Sequence, residues 1–139
     1  MSHTIIFPNA KFWVDDEEEV LYCKFKNCKS YRKLEVPRVM EYIDVILEVT
    51  NKTPMPFIID LRNTKGRFEH KAAKLFATHP DLHKIKQFEA FVINNIGMKL
   101  LILTYKRLYD PYTPFKIFSS QTAALEYCLK TQIKLYAIN

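Results

Sequence analysis

Residues Phe57–Gly66 read FIIDLRNTKG, a short apolar run closed by an acid, a leucine and a polar loop. The run begins after Pro56 and shows no alternation between apolar and polar residues. That pattern fits a central β-strand covered on both faces, because a strand with one wet face alternates. The question it raises is what Asp60 does at the end of such a strand.

The segments on either side repeat the theme. Upstream, LEVPRVMEYIDVILEVTN places Val36, Val39, Met40, Ile43, Leu47 and Thr50 at steps of three and four, one apolar stripe of a helix. Pro37 fits that helix only in its first turn, and the two prolines of NKTPMP mark its end. Before it, KFWVDDEEEVLYCKFKN alternates on both sides of five consecutive acids, Asp15 to Glu19, and reads as a hairpin whose tip is kept in solvent by charge. A cation site at that tip would need a fixed cage of oxygens, which a turn of this kind does not supply.

Downstream, a helix is expected from about Phe68 to Thr78, ended by Pro80, with a short extra turn over DLHKIK. FEAFVIN reads as a second buried strand and PFKIF as a third. MKLLILTYKRL lies between them and carries no helical period, so a strand is an alternative. A parallel connection needs a crossover element, and Leu, Met and Lys favour helix, so helix is the reading adopted. SSQTAALEYCLK closes the pattern as a helix capped by Ser119 or Ser120. Alternating strands and helices define a single α/β domain with a mixed, mostly parallel sheet.

Bulk properties narrow the function. The chain has 139 residues, 48% apolar, enough for one hydrophobic core without disulfide or metal staples. The formal charge of +6 is uneven: residues 62–107 hold ten Lys/Arg against three acids, whereas residues 1–61 hold eight against ten. The central basic segment is either a footprint for an acidic partner or a solvated helix face. Two glycines, Gly66 and Gly97, leave no glycine-rich phosphate cradle. Cys23, Cys28 and Cys128 are an odd set without CxxC spacing and read as buried or half-buried free thiols. No signal segment is evident, and the longest apolar run, Leu100–Leu103, is too short to span a bilayer; a cytoplasmic location is expected.

Reaction chemistry finds little support. His79 and His83 stand at i and i+4, but Pro80 interrupts them and no HExxH glutamate is present. There is no GxSxG elbow, and the cysteines lie on apolar faces. Asp60 has no second carboxylate nearby, so it is expected to cap the N–H of Asn63 or Thr64 in an Asx-type turn. KRLYDPYTPF offers aromatics among basic residues, yet no RNP-like pattern supports nucleic-acid binding. No cofactor and no metal are expected. A cleft lined by Phe and Met between helices and sheet would suit a small apolar or anionic ligand.

The order of elements, with FIIDLRN, FVIN leading into a helix, and FKIFSSQTAALEYCL, resembles a STAS domain, the anti-sigma-factor-antagonist-like class, and within it a bacterial STAS/SEC14-like group. The resemblance runs from Phe12 to Leu129 and implies a STAS-like sandwich over residues 1–139 with a non-enzymatic, regulatory or protein-interaction role. It also implies a contact surface in the loop after the strand and the next helix: Asp60, Arg62, Asn63, Thr64, Lys65, Gly66, Arg67, Glu69 and Lys71. In the phospho-switch members of that class a serine opens this helix. Here Phe68 and Glu69 hold that place, so the switch is expected to be absent, with Thr64 the one hydroxyl in the loop. A protein partner is expected, a small ligand is the alternative, and the N-terminal hairpin leaves a homodimer open.

Overall fold

The computed structural model describes residues 4–27, 33–64 and 67–138. Its main sheet has six strands: β1 (Thr4–Phe7), β2 (Ala10–Asp15), β3 (Val20–Asn27), β5 (Met55–Thr64), β7 (Lys86–Val92) and β8 (Phe115–Phe118), neighbours in that order. The strands β1, β2 and β3 are antiparallel; β3, β5, β7 and β8 are parallel. A two-stranded parallel pair, β4 (Lys33–Leu34) and β6 (Arg67–Phe68), lies apart from it. Five helices complete the described residues: α1 (Val36–Thr50), α2 (His70–Thr78), α3 (Pro80–Ile85), α4 (Ile96–Tyr109) and α5 (Gln121–Ile138).

The central strand is β5, as its sequence demands. Phe57, Ile59 and Leu61 join one core and Ile58 joins another, because successive residues of a strand point to opposite faces. The larger core unites Phe12, Leu21 and Phe91 of the sheet with Ile43 and Ile46 of α1, Leu82 of α3 and Ile102 of α4. The smaller core sets Tyr22, Ile58 and Val92 against Ala124 and Cys128 of α5. Each fully buried Phe or Ile here contributes roughly 1.5–3 kcal/mol of transfer free energy.

Local signals act where the sequence places them. Pro37 sits in the first turn of α1, and Asn51 closes that helix in the left-handed region at φ 51°. Asp15 Oδ1 accepts from the backbone N–H groups of Glu17 and Glu18, which folds the acidic tip between β2 and β3. Ser120 Oγ accepts from the Ala123 N–H at the start of α5.

Three features differ from the sequence expectation. The strand β1 was not foreseen, since four residues ahead of Pro8 carry no period; its pairing with β2, Thr4 opposite Trp13, makes it a strand. The second helix starts at His70, not Phe68, because Phe68 pairs with Leu34 in the small sheet and Glu69 N–H donates to Leu34 O at 3.2 Å. The last helix continues past Lys130 to Ile138.

Candidate functional site

The loop after β5 is tied down by its own residues. Asp60 is buried, and its Oδ1 accepts from both the backbone N–H and the Nε of Arg62 at 3.0 Å, while Oδ2 accepts from Arg62 Nη2 at 2.8 Å. Burial alone would raise the Asp60 pKa. The hydrogen bonds and charge of Arg62, with a further pull from Lys24, outweigh it and hold the carboxyl below its ordinary value. The expected Asx-type turn is therefore present, with Arg62 as donor instead of Asn63 or Thr64. The pairing of β3 with β5 shifts register here, Lys24 facing Asp60 and Lys26 facing Asn63.

The remaining residues of the expected contact surface are distributed along the path from β5 to α2. Thr64 Oγ1 donates to Leu61 O at 2.8 Å, and Asn63 is exposed. Lys65 and Gly66 lie outside the described residues, as does Cys28. Arg67 is in β6. Glu69 takes the N-cap position of α2, where a switch serine would stand, but its side chain does not cap that helix. Its Oε1 accepts instead from the Val36 N–H at 3.3 Å, joining the starts of α1 and α2. Lys71 is exposed.

Beside this segment lies a cavity of about 330 Å³ between the sheet, α1, α2 and α4. Its wall is built mainly of apolar side chains, among them Phe25, Ile59, Phe76, Phe91, Met98 and Ile102. The Phe and Met cleft expected from the sequence is thus a formed space. Glu69 and His70 at the start of α2 and Leu108 and Tyr109 of α4 also line it, and His70 Nδ1 lies 3.1 Å from the Tyr109 hydroxyl. The helix α4 is unusual in that Ile96 is 74% exposed and Leu100, Leu101 and Leu108 are exposed too, whereas its Lys106 is buried.

That lysine belongs to a buried group of charges the sequence reading did not single out. Lys106 Nζ donates to Glu89 Oε1 at 2.5 Å and to Asp110 Oδ2 at 3.1 Å; Lys86 Nζ lies 3.4 Å from Asp110 Oδ2 and 3.9 Å from Glu89 Oε2. Two cations and two anions cancel, which is the condition for holding four charges out of water. Asp110 Oδ1 also accepts from the N–H groups of Tyr112 and Thr113. Burial pushes the Asp110 pKa up, but the hydrogen bonds from Thr113 and the two lysines hold it well below the carboxylate range. Tyr105 lies in the field of Glu89 and Asp110, and burial, then those acids, push its hydroxyl pKa well up. The cavity and the charge group share a wall at Phe76, whose ring centroid is 5.6 Å from Lys86 Nζ. The signal in the sequence was the lone Glu89 inside FEAFVIN, a charge that a strand buried on both faces must pair.

Other sequence candidates have structural roles. His79 Nδ1 accepts from Leu82 N–H and starts α3, while His83 is exposed. Cys23 and Cys128 are buried free thiols. Among the described residues, no group of three or more His, Cys, Asp or Glu is arranged to hold a metal ion. No helix among them is long and apolar enough to cross a membrane.

A mixed sheet in which three strands run parallel to β3, with five helices among the described residues, is a SpoIIAA-like α/β fold. A solved structure from Shewanella loihica PV-4, described as an uncharacterized DUF3478-family protein with a SpoIIAA-like fold, superposes with a TM-score of 0.56 over 92% of each chain at 14% identity. That likeness bears on the fold alone. The chain belongs to the family DUF7793, a domain of unknown function, whose model matches residues 12–132. No curated protein matches it.

Proposed function

We propose that this chain is a non-enzymatic STAS-like domain that binds a small apolar ligand. The observation that carries the reading is the cavity of about 330 Å³ with its mainly apolar wall. Ligand sites are concave, mostly apolar and a few hundred cubic ångströms or more in volume, with few polar groups, and a filled core leaves no such space. The polar groups nearest to chemistry argue against a reaction: Asp60 is bound to Arg62, and Glu89 and Asp110 are bound to buried lysines. None of these three carboxylates lines the cavity. Two buried thiols, Cys23 and Cys128, suit a reducing compartment such as the cytoplasm.

Native mass spectrometry of the purified protein, with Ala73→Phe as the control, tests this. Ala73 is buried in the cavity wall, so the larger side chain fills the space. A retained or added apolar molecule on the parent protein that the variant excludes supports the reading. Equal behaviour of the two proteins contradicts it.

A second reading is a contact surface for a protein partner along Asp60, Arg62, Asn63, Thr64, Lys65, Gly66, Arg67, Glu69 and Lys71. What favours it is that Glu69 and His70 line the cavity while Lys71, next to them, is exposed. Ligand occupancy and partner contact would then meet at the first turn of α2, which is a route to regulation. Reversing Arg67 and Lys71 to Glu should abolish partner recovery from lysate without shifting the thermal midpoint; unchanged recovery counts against this surface.

A further inference from the structure

We infer that the ligand is a single-chain amphiphilic acid, its apolar body in the cavity and its carboxylate at the mouth beside the His70–Tyr109 pair. This rests on the cavity reading above and names the ligand class for the same site.

The size of the space sets the body. About 330 Å³ is at the small end of ligand pockets, room for one acyl chain or ring system and not for a two-chain lipid. The wall sets its chemistry, since a polar group pressed against Phe91, Met98 and Ile102 would lose its water with nothing in return. The polar side chains of the wall are mostly committed to the protein. Glu69 Oε1 accepts from Val36 N–H, and Thr104 Oγ1 donates to Leu100 O at 3.0 Å. The Tyr105 hydroxyl is the exception, buried without a hydrogen-bond partner, but it is away from the surface and out of reach of a solvated head group.

His70 and Tyr109 differ. They meet across α2 and α4 in a hydrogen bond of 3.1 Å at the surface, and both line the cavity. In either tautomer the pair keeps one donor beyond its shared bond, the phenol O–H or the imidazole Nε2–H, suited to a carboxylate oxygen. The two helices that carry the pair hold no acid, Lys71 and Lys74 of α2 and Arg107 of α4 are exposed on them, and Glu69 is the one acid in the wall.

The test uses the full chain with decanoate and 1-decanol, matched in chain length, by isothermal titration calorimetry below their aggregation limits. Decanoate should bind at least about tenfold more tightly than decanol, the scale of one hydrogen bond to a charged group. His70→Gln with Tyr109→Phe should remove that preference, decanoate binding falling to the level of decanol. Equal binding of acid and alcohol by the parent chain, or an unchanged preference in the double variant, overturns the head-group assignment while the cavity reading stands. Binding of neither probe, by a chain that Ala73→Phe leaves equally inert, overturns both.

Discussion

Lys106 Nζ lies 2.5 Å from Glu89 Oε1, with Glu89 0% and Lys106 2% exposed. A strand residue and a helix residue thereby lock α4 against β7 through charge. Removing one partner unbalances the buried group: without Glu89 two lysines face Asp110 alone, and without Lys106 two acids face Lys86 alone. Glu89→Leu or Lys106→Met alone should therefore destabilise the fold by about 3–5 kcal/mol. The two changes together should cost clearly less than their sum, since an apolar pair of similar volume replaces the ions. Urea unfolding of the two single variants and the double variant measures this; additive costs would show that the pair is not coupled.

Acid should weaken the fold through Asp60 and Asp110. Both have folded pKa values below their unfolded ones. The unfolded chain therefore binds more protons in the window between, and the stability these groups contribute is complete above the unfolded value of about 3.9 and is lost as pH falls through it towards the folded one. The urea midpoint should hold steady near neutrality and drop from about pH 4 downward. Asp110→Asn should flatten that drop, and an identical profile in the variant would assign it to other groups.

The two buried thiols should be inert in the native state. Burial, then the Glu89 charge, raises the Cys23 pKa, and burial pushes that of Cys128 to about 12. The thiolate is the reactive form, so neither site supplies it at pH values in common use. In a Cys28→Ser background, a disulfide exchange reagent at about pH 8, just under an ordinary thiol pKa, should titrate no thiol without denaturant and both with it. Rapid labelling of the folded chain would mean that one site opens readily.

How much of this was legible depended on period and pairing. The strands β5 and β7 announce themselves because both their faces are buried, so FIID and FEAFV are nearly continuous apolar runs. The crossover requirement of a parallel sheet resolved MKLLILTY into the helix α4, where local pattern did not. The rotation of that helix was hidden. Leu100, Leu101, Ile102 and Leu103 occupy every side of one turn, so hydrophobicity selects no face. The charges of Glu89 and Lys86 select it, drawing Lys106 and Asp110 inward and turning leucines out. The strand β1 was hidden for a related reason: its partner gives it order, not its own four residues. Of the loop, the role of Asp60 as a turn-forming acid was readable from its place at a strand end, but the choice of Arg62 as donor depends on how a long side chain folds back.

The order of the sheet has a consequence for how the protein is made. Its strands lie side by side in the sequence in which a ribosome delivers them, β1, β2, β3, β5, β7 and β8. No strand has to be inserted between two that have already met. Each one emerging after the hairpin can join the edge left by its predecessor, with its crossover helices supplying a cover. Until β8 arrives, the growing edge offers unpaired N–H and C=O groups, so a chain stalled after β7 would expose the Lys86–Val92 strand as a template for foreign pairing.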